Sequence, residues 1–462
     1  MYRRLPHGPH GMEREEVARH QRARLYGGMI ESISQRGYAG TTVAHVIGLA
    51  GVSRRAFYEQ FANKEECFLA TYDIVVARAR KLSMDAWAQE RGWANRMHAA
   101  CKAMIDDVAE DPRGAHLVLV DSLGVGPKAR ERMLLAACTF ERTAKTGYDS
   151  CPDGVKLQPL LARAVVAGAR HVAFKRLHDE RPQELFSVTD ELLDWIESYR
   201  TPLAARVSAI GLARPPHVPP QPAAFLASDD KRSRVLGSVV HLTLDEGYSA
   251  LTDPQIAQFA GISTEAFHKQ FPSKEACFLA VLDEFAAEAT DTVHGAIRGA
   301  ESWSEAVCLG VAALVEYFIS HPGLLRMAFI DVFEVGPGMI DRVAGLIDGA
   351  TKGLADSAPD PRRAPALVGE AVAGAIWGIV SSYAPNDRLR YLACFIDQIS
   401  FVVMAPYVGP KAALEAIEEA RNGPSSEKPS SPPAKPAAKT ARPAAKSAKT
   451  ETPPKPTGPA AA

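Results

Sequence analysis

Apolar residues recur at helical spacing along most of the chain. Leu25, Met29 and Ile33 stand four apart, Val43, Val46, Ile47 and Ala50 share one face of a short helix, and Phe57 and Phe61 repeat the interval. No long stretch alternates with period two, so the pattern predicts an all-α protein. Polar punctuation marks where these helices begin and end. Thr42 is placed to N-cap the helix that starts at Val43, and Gly51, free to take positive φ, to end it. Ser53 caps the next helix, and Asn63 a third with Glu66 at the capping-box position.

The pattern comes back. Gly37 to Ala70 aligns without a gap on Gly247 to Ala280, with 16 identities in 34 positions. The same offset of 210 carries Asp121 to Pro127, DSLGVGP, onto Asp331 to Pro337, DVFEVGP, and Pro112 onto Pro322. Further on, VAGA at 166–169 meets VAGA at 372–375 after a four-residue deletion in the second copy. The duplicated unit is therefore about 190 residues, far more than a motif.

These offsets divide the chain into an arm at 1–12, a first three-helix head at 13–72 and its helical core at 73–203. A proline-rich connector at 204–228 follows, then a second head at 229–282 and a second core at 283–421. From 422 to 462 the composition turns to Pro, Ala, Lys and Ser, which predicts a disordered tail.

Charge is balanced at 53 basic against 54 acidic residues, so any polyanionic partner must be met by local patches. The seven cysteines form no Cys-x-x-Cys pair and suit a reducing compartment. No signal-like start and no uninterrupted apolar run of about 18 residues is present, which predicts a cytoplasmic protein without a membrane partner.

Within SRRAFYEQF the two phenylalanines share one face, so Arg54, Arg55 and Tyr58 point outward from the first turns of their helix. A helix-turn-helix needs this layout, because the start of its second helix reaches base edges in the major groove. Arginine pairs there with guanine through two hydrogen bonds, and a tyrosine hydroxyl reaches phosphate. Lys64 projects from the first turn of the following helix.

At this point TTVAHVIGLAGVSRRAFYEQFANKEECFLA, residues 41–70, resembles the DNA-binding region of the tetracycline-repressor (TetR) family of transcriptional regulators. The resemblance implies phosphate contacts from Thr42, Tyr58 and Lys64 and base reading by Arg54 and Arg55 beside the capping Ser53. It extends, more weakly, to the helical remainder of each copy. It also implies a dimer built from the last two helices of each unit, here enclosed in one chain as a pseudo-dimer that can still self-associate. Ala164, Ala167, Gly168 and Ala169, matched by Ala371, Ala373, Gly374 and Ala375, are small enough to let two such helices approach closely.

The second copy keeps the frame through Gly261, Ser263, Phe267 and Phe271 but changes what faces outward. Thr252, Ser263, Thr264, His268, Lys269 and Lys274 are its candidate DNA contacts. Thr264 and Glu265 stand where the arginines were, and Glu265 opposes phosphate.

The expected function is a double-stranded-DNA-binding regulator, a repressor released by a small apolar or amphipathic effector. Two rivals are a ligand-binding or interaction module that no longer reads DNA, and a nucleoid-associated protein with little sequence preference.

No phosphate-binding glycine loop, nucleophile elbow or zinc helix appears, and neither an enzyme nor a cofactor is expected. His7 and His10 lack metal-ligand partners. Cys67 and Cys277 recur beside FLA and read as core residues rather than redox sensors. Asp121 and Asp331 either face a ligand cavity or pair with Arg132 and Arg342, and a pairing or capping role is favoured. His98, His116, His171 and Trp377 fall on helices that would line the cores. Lys428, Lys435, Lys439, Arg442, Lys446, Lys449 and Lys455 against Glu427 and Glu451 suit the tail to weak, sequence-independent contact with DNA.

Overall fold

The computed structural model describes residues 14–151, 157–200, 218–336, 338–359, 366–384 and 388–422. The arm with His7 and His10, residues 204–217 of the connector and the tail from 423 lie outside the described residues. Among the described residues every regular element is a helix.

The first copy contains α1 (Arg14–Gly40, broken at Gly37), α2 (Val43–Ala50), α3 (Arg54–Tyr58), α4 (Lys64–Gln89) and α5 (Trp93–Glu110). It continues through α6 (Pro112–Leu119), α7 (Pro127–Asp149), α8 (Pro159–His178) and α9 (Thr189–Glu197). The second copy opens with α10 (Lys231–Glu246), α11 (Asp253–Phe259), α12 (Thr264–Gln270), α13 (Lys274–Ile297) and α14 (Trp303–Ser320). There follow α15 (Pro322–Arg326), a π-helical turn at Met327–Asp331, α16 (Val332–Val335) and α17 (Gly338–Ser357). It closes with α18 (Ala366–Tyr383), α19 (Ile396–Val408) and α20 (Pro410–Asn422).

Each head closes on the repeated phenylalanines. Phe57, Phe61, Phe68 and Cys67 are buried in the first, Phe267, Phe271, Phe278 and Cys277 in the second. Burial pushes both thiols up to about 12, as suits core residues rather than reactive ones. The end of the connector is docked rather than loose: Ala223 is buried, and Gln221 N donates to Ser320 O at 2.9 Å. Trp303–Ser320 and Leu389–Val408 are long and apolar enough to cross a membrane by composition, although each is interrupted by polar residues. The second is 61% buried in the fold, and α14 packs between α13 and α19.

The two copies meet through α8 and α18, the most extensive helix pair in the molecule. Ala164, Ala371 and Ala375 are fully buried there. The backbones approach so closely that a Cβ added at Gly168 would lie 2.5 Å from the Ala371 carbonyl oxygen and 2.3 Å from the Trp195 ring. One at Gly374 would meet His171 Cβ at 2.2 Å, and one at Gly378 would meet Ala167 Cβ at 2.2 Å. Polar contacts frame this seam. Arg176 pairs with Glu370, Lys175 with Asp348 at 2.7 Å and His178 with Asp341 at 2.9 Å. The Tyr199 hydroxyl donates to Val402 O at 2.8 Å, bringing the C-terminal end of the first copy against α19.

One expected pairing is replaced by another. Asp121 pairs with His116 at 2.8 Å and Asp331 with Arg326 at 3.3 Å, both five residues back on the preceding turn. Arg132 and Arg342 instead reach Asp73 and Asp283 on α4 and α13. Both corrections obey the offset of 210. The register of α7 over α4, and of α17 over α13, turns these arginines away from the turn that carries Asp121 and Asp331.

Gly168→Ala and Gly378→Ala should each destabilise the chain by about 1–3 kcal/mol or more, because overpacking a rigid seam forces backbone shifts. Gly353→Ala, on an exposed face of α17 with nothing near its added Cβ, should be neutral or slightly stabilising. Urea unfolding of the full chain measures all three, and a Gly168→Ala midpoint equal to wild type would contradict the close approach.

Candidate nucleic-acid interface

The first head is assembled by its caps. Thr42 Oγ1 accepts from His45 N at 3.3 Å, Ser53 Oγ from Ala56 N at 3.1 Å and Asn63 Oδ1 from Glu66 N at 2.9 Å. Gly51 takes φ 58° between α2 and α3, a left-handed turn that a side chain would strain. Arg24 Nη2 donates to the Gly51 carbonyl at 2.9 Å, fastening that turn to α1. The motif did not flag Arg24, although the offset of 210 places Arg234 at the equivalent position.

This frame leaves Thr42, Ser53, Arg54, Arg55 and Tyr58 on the surface. Arg55 Nε holds Glu59 at 2.8 Å in a pair whose members are 89% and 58% exposed. Exposed pairs of this i,i+4 kind contribute only about 0.3–0.5 kcal/mol, so a base edge can take the guanidinium at little cost. The Arg54 guanidinium lies 5.7 Å from the Tyr58 ring, a loose stacking that keeps both on one outward face.

Lys64 is placed differently from the outward group. Its ammonium donates to Tyr38 O at 2.9 Å and sits 4.0 Å from the Tyr38 ring centre, and burial lowers its pKa. Lys274 does the same in the second head, donating to Leu251 O at 2.6 Å and Tyr248 O at 3.2 Å, 4.6 Å from the Tyr248 ring. In both copies the lysine ties the start of the fourth helix, α4 or α13, to the end of the first helix or the turn that follows it.

The second head repeats the caps, with Thr252 on Gln255, Ser263 on Ala266 and Ser273 on Ala276. Gly261 takes φ 70° at the position of Gly51. The outward chemistry is what differs. Lys269 is engaged by Glu265 at 3.0 Å, and His268 faces Asp253 at 3.7 Å. Thr264, half-buried, stands where the first head shows an exposed arginine. The α3 surface thus offers two guanidinium groups and a phenol against one glutamate, Glu59, whereas the α12 surface offers one lysine against one glutamate and an imidazole beside a carboxylate.

Two segments, residues 30–71 and 240–281, each match the family described as bacterial regulatory proteins, tetR family. Each head thus carries the DNA-binding unit of the TetR family, which stands in this chain in duplicate. Over 101 residues the chain is 27% identical to the HTH-type transcriptional regulator EthR of Mycolicibacterium smegmatis. That match takes in 22% of the chain and 46% of EthR, so the chain spans about half the length of this relative. Among solved structures it is similar to the transcriptional regulator FadR from Bacillus subtilis in complex with stearoyl-CoA. The identity is 14%, 38% of this chain and 96% of that one are covered, and the TM-score is 0.34. A putative transcriptional regulator from Pseudomonas aeruginosa PAO1 is 16% identical, with 42% and 96% covered and a TM-score of 0.36.

The four residues expected to line regulatory cores part company. His98 sits at the surface 3.6 Å from Asp190, and His116 is taken up by Asp121. His171 and Trp377 come together instead, in a cavity between the copies.

Replacing Lys64 by Met should lower stability by about 1–2 kcal/mol, from the lost charged hydrogen bond and the lost ring contact, discounted for partial exposure. Lys274→Met should behave alike. Thermal unfolding of the full-length variants checks this, and a Lys64→Met protein as stable as wild type would free the ammonium from its structural role.

Proposed function

We propose that the chain is a ligand-responsive regulator, a repressor in its unliganded state, that binds an asymmetric operator as an intramolecular pseudo-dimer. The observation that carries this reading is the contrast between the two heads on a common frame. On the first, Arg54, Arg55 and Tyr58 are exposed and two guanidinium groups stand against the single Glu59, which pairs with Arg55. On the second, Glu265 and Lys269 neutralise each other and His268 faces Asp253.

An unequal pair of recognition helices removes the need for a palindrome, because the symmetry of an operator mirrors the symmetry of its reader. In this reading Arg54 and Arg55 contact base edges, while Thr42, Ser53, Tyr58 and Lys64 position the head on phosphate. The second head, through Thr252, Ser263, Thr264, His268, Lys269 and Lys274, contributes mainly backbone affinity. The lysines of the tail add a sequence-independent, salt-sensitive share of binding. The short α8–α18 seam supports the intramolecular arrangement, since it is made within one chain. Action on the chromosome places the protein in the cytoplasm, at the nucleoid.

Selection of sites from random DNA should return a non-palindromic sequence in which changes under the first head cost about 1–3 kcal/mol per critical base pair and changes under the second cost less. A perfect palindrome with equal information in both arms would mean that two first heads, from two chains, do the reading. No enriched sequence would favour nucleoid-type binding.

On the selected site, Arg54→Ala and Arg55→Ala should each weaken specific binding by about 1–3 kcal/mol wherever the arginine makes a bidentate base contact. Titration of the double variant against that site decides the matter, and unchanged affinity would remove both arginines from the interface.

A further inference from the structure

The α8–α18 seam does not close completely. On one side of it lies a cavity of about 170 Å³, walled by α7 and α8 of the first copy and by α16, α17, α18 and the π-helical turn of the second. Its apolar surface comes chiefly from Met133, Phe174, Phe329, Phe333, Val343 and Trp377, with Phe329 stacked on Trp377 at 4.2 Å. A volume of this size is on the scale of the roughly 150 Å³ apolar cavities that admit a benzene ring.

The polar groups on the wall carry three arginines against one glutamate. Two of the arginines are committed. Arg163 donates to Glu141 at 3.1 Å and to Ser382 Oγ at 2.9 Å, and Arg130 reaches Ile330 O at 3.4 Å and Glu334 at 3.6 Å. Arg170, only partly exposed, has neither a hydrogen bond nor an ion pair among the described residues. Burial pushes its guanidinium below the ordinary value, with the nearby Tyr72 hydroxyl offsetting part of the effect. Beside it, the Nε2 of His171 is buried without a hydrogen-bond partner, and burial lowers that imidazole to about 4, leaving it neutral. A neutral imidazole with an idle nitrogen next to an unpaired guanidinium is an incomplete polar site, costly to leave empty in apolar surroundings.

The duplication makes the site one-sided. With VAGA at 166–169 set on VAGA at 372–375, Arg170 and His171 correspond to Ile376 and Trp377. Arg130, at the offset of 210, corresponds to Ile340. The first copy therefore supplies all three arginines, while both copies contribute to the apolar wall, and the symmetry-equivalent position has no arginine with which to build a second such site.

We propose that this cavity is a single binding site, one per chain, for a small carboxylate with an apolar body of about one ring or a short alkyl chain, with Arg170 as its counter-ion. The proposal deepens the ligand-responsive reading above and rests on it only for its consequence, not for the binding itself. A carboxylate satisfies the guanidinium through paired, charge-assisted hydrogen bonds and gives His171 Nε2 an acceptor. A neutral ligand of the same shape fills the apolar volume but leaves the guanidinium unpaired. Tyr72, the neighbour of Arg170, lies on α4, two turns from Lys64 and the helix start that closes the first head. The anion site therefore adjoins the helix that carries that head.

Isothermal titration of the full-length chain with hexanoate and benzoate, each beside its neutral alcohol, 1-hexanol and benzyl alcohol, tests the assignment. The expected result is one carboxylate per chain. Arg170→Met should weaken carboxylate binding by about tenfold or more while changing alcohol binding by no more than about twofold, because only the charged head loses its partner. The control Arg142→Met, at an exposed position of α7 outside the cavity wall, should leave both unchanged.

Two carboxylates per chain, no binding of either acid at millimolar concentration, or equal losses for acid and alcohol in Arg170→Met would each overturn the proposal. Operator affinity measured in parallel separates the two readings. Carboxylate bound with unaltered operator affinity upholds the site and removes ligand-responsive control, whereas operator binding without carboxylate binding does the reverse.

Discussion

Everything in this chain that involves both copies depends on how closely α8 and α18 approach each other. Two helices normally keep their axes apart by the bulk of the side chains between them. Here Gly168, Gly374 and Gly378 remove that bulk at three points, and Ala164, Ala167, Ala371 and Ala375 keep it small between them. The backbone of one copy then touches side chains of the other directly. Because both helices belong to one chain, the contact is made at an effective concentration set by the connector, not by the number of molecules present. The Arg176–Glu370 pair and the Tyr199–Val402 hydrogen bond follow from that approach and fix its register.

A duplicated unit also separates what the fold requires from what the surface is free to change. Caps, turn glycines, head phenylalanines and the lysine that ties the fourth helix back toward the first occur in both copies with nearly the same geometry. The Arg132–Asp73 and Arg342–Asp283 pairs join this shared frame. The outward positions of α3 and α12 are under no such constraint, since nothing packs on them. There the balance changes from two guanidinium groups, one of them paired with Glu59, to a single lysine paired with Glu265.

The cavity between the copies follows the same division. Its walls come from packing that both units share, but the guanidinium groups come from one copy and the indole and two of the three phenyl rings from the other. A symmetric dimer could not produce that arrangement once without producing it twice. Duplication within one chain makes a one-sided site available.

The all-α class, the repeat and its offset, and the layout of each head were legible in the sequence because they rest on local rules. Helical spacing of Leu25, Met29 and Ile33, caps at Thr42, Ser53 and Asn63, and positive φ at Gly51 each involve residues a few positions apart. So was the supply of small residues on α8 and α18, though not which of them would touch. Asp121 and Asp331 show where such reasoning stops. Their pairing with His116 and Arg326, and that of Arg132 and Arg342 with helices about 60 residues away, depend on the rotation of one helix over another. The same limit applies to Lys64, whose place on the surface or against Tyr38 depends on how α4 meets the end of α1. Arg170 and His171 are the extreme case, since in sequence they are two polar residues on an amphipathic helix. Only the tertiary structure, by seating α8 against α18 and α17, decided that they would share a cavity with Trp377 and lack a partner in it. Local propensity is set by a residue and its near neighbours, whereas desolvation and pairing are set by whatever the rest of the chain brings alongside.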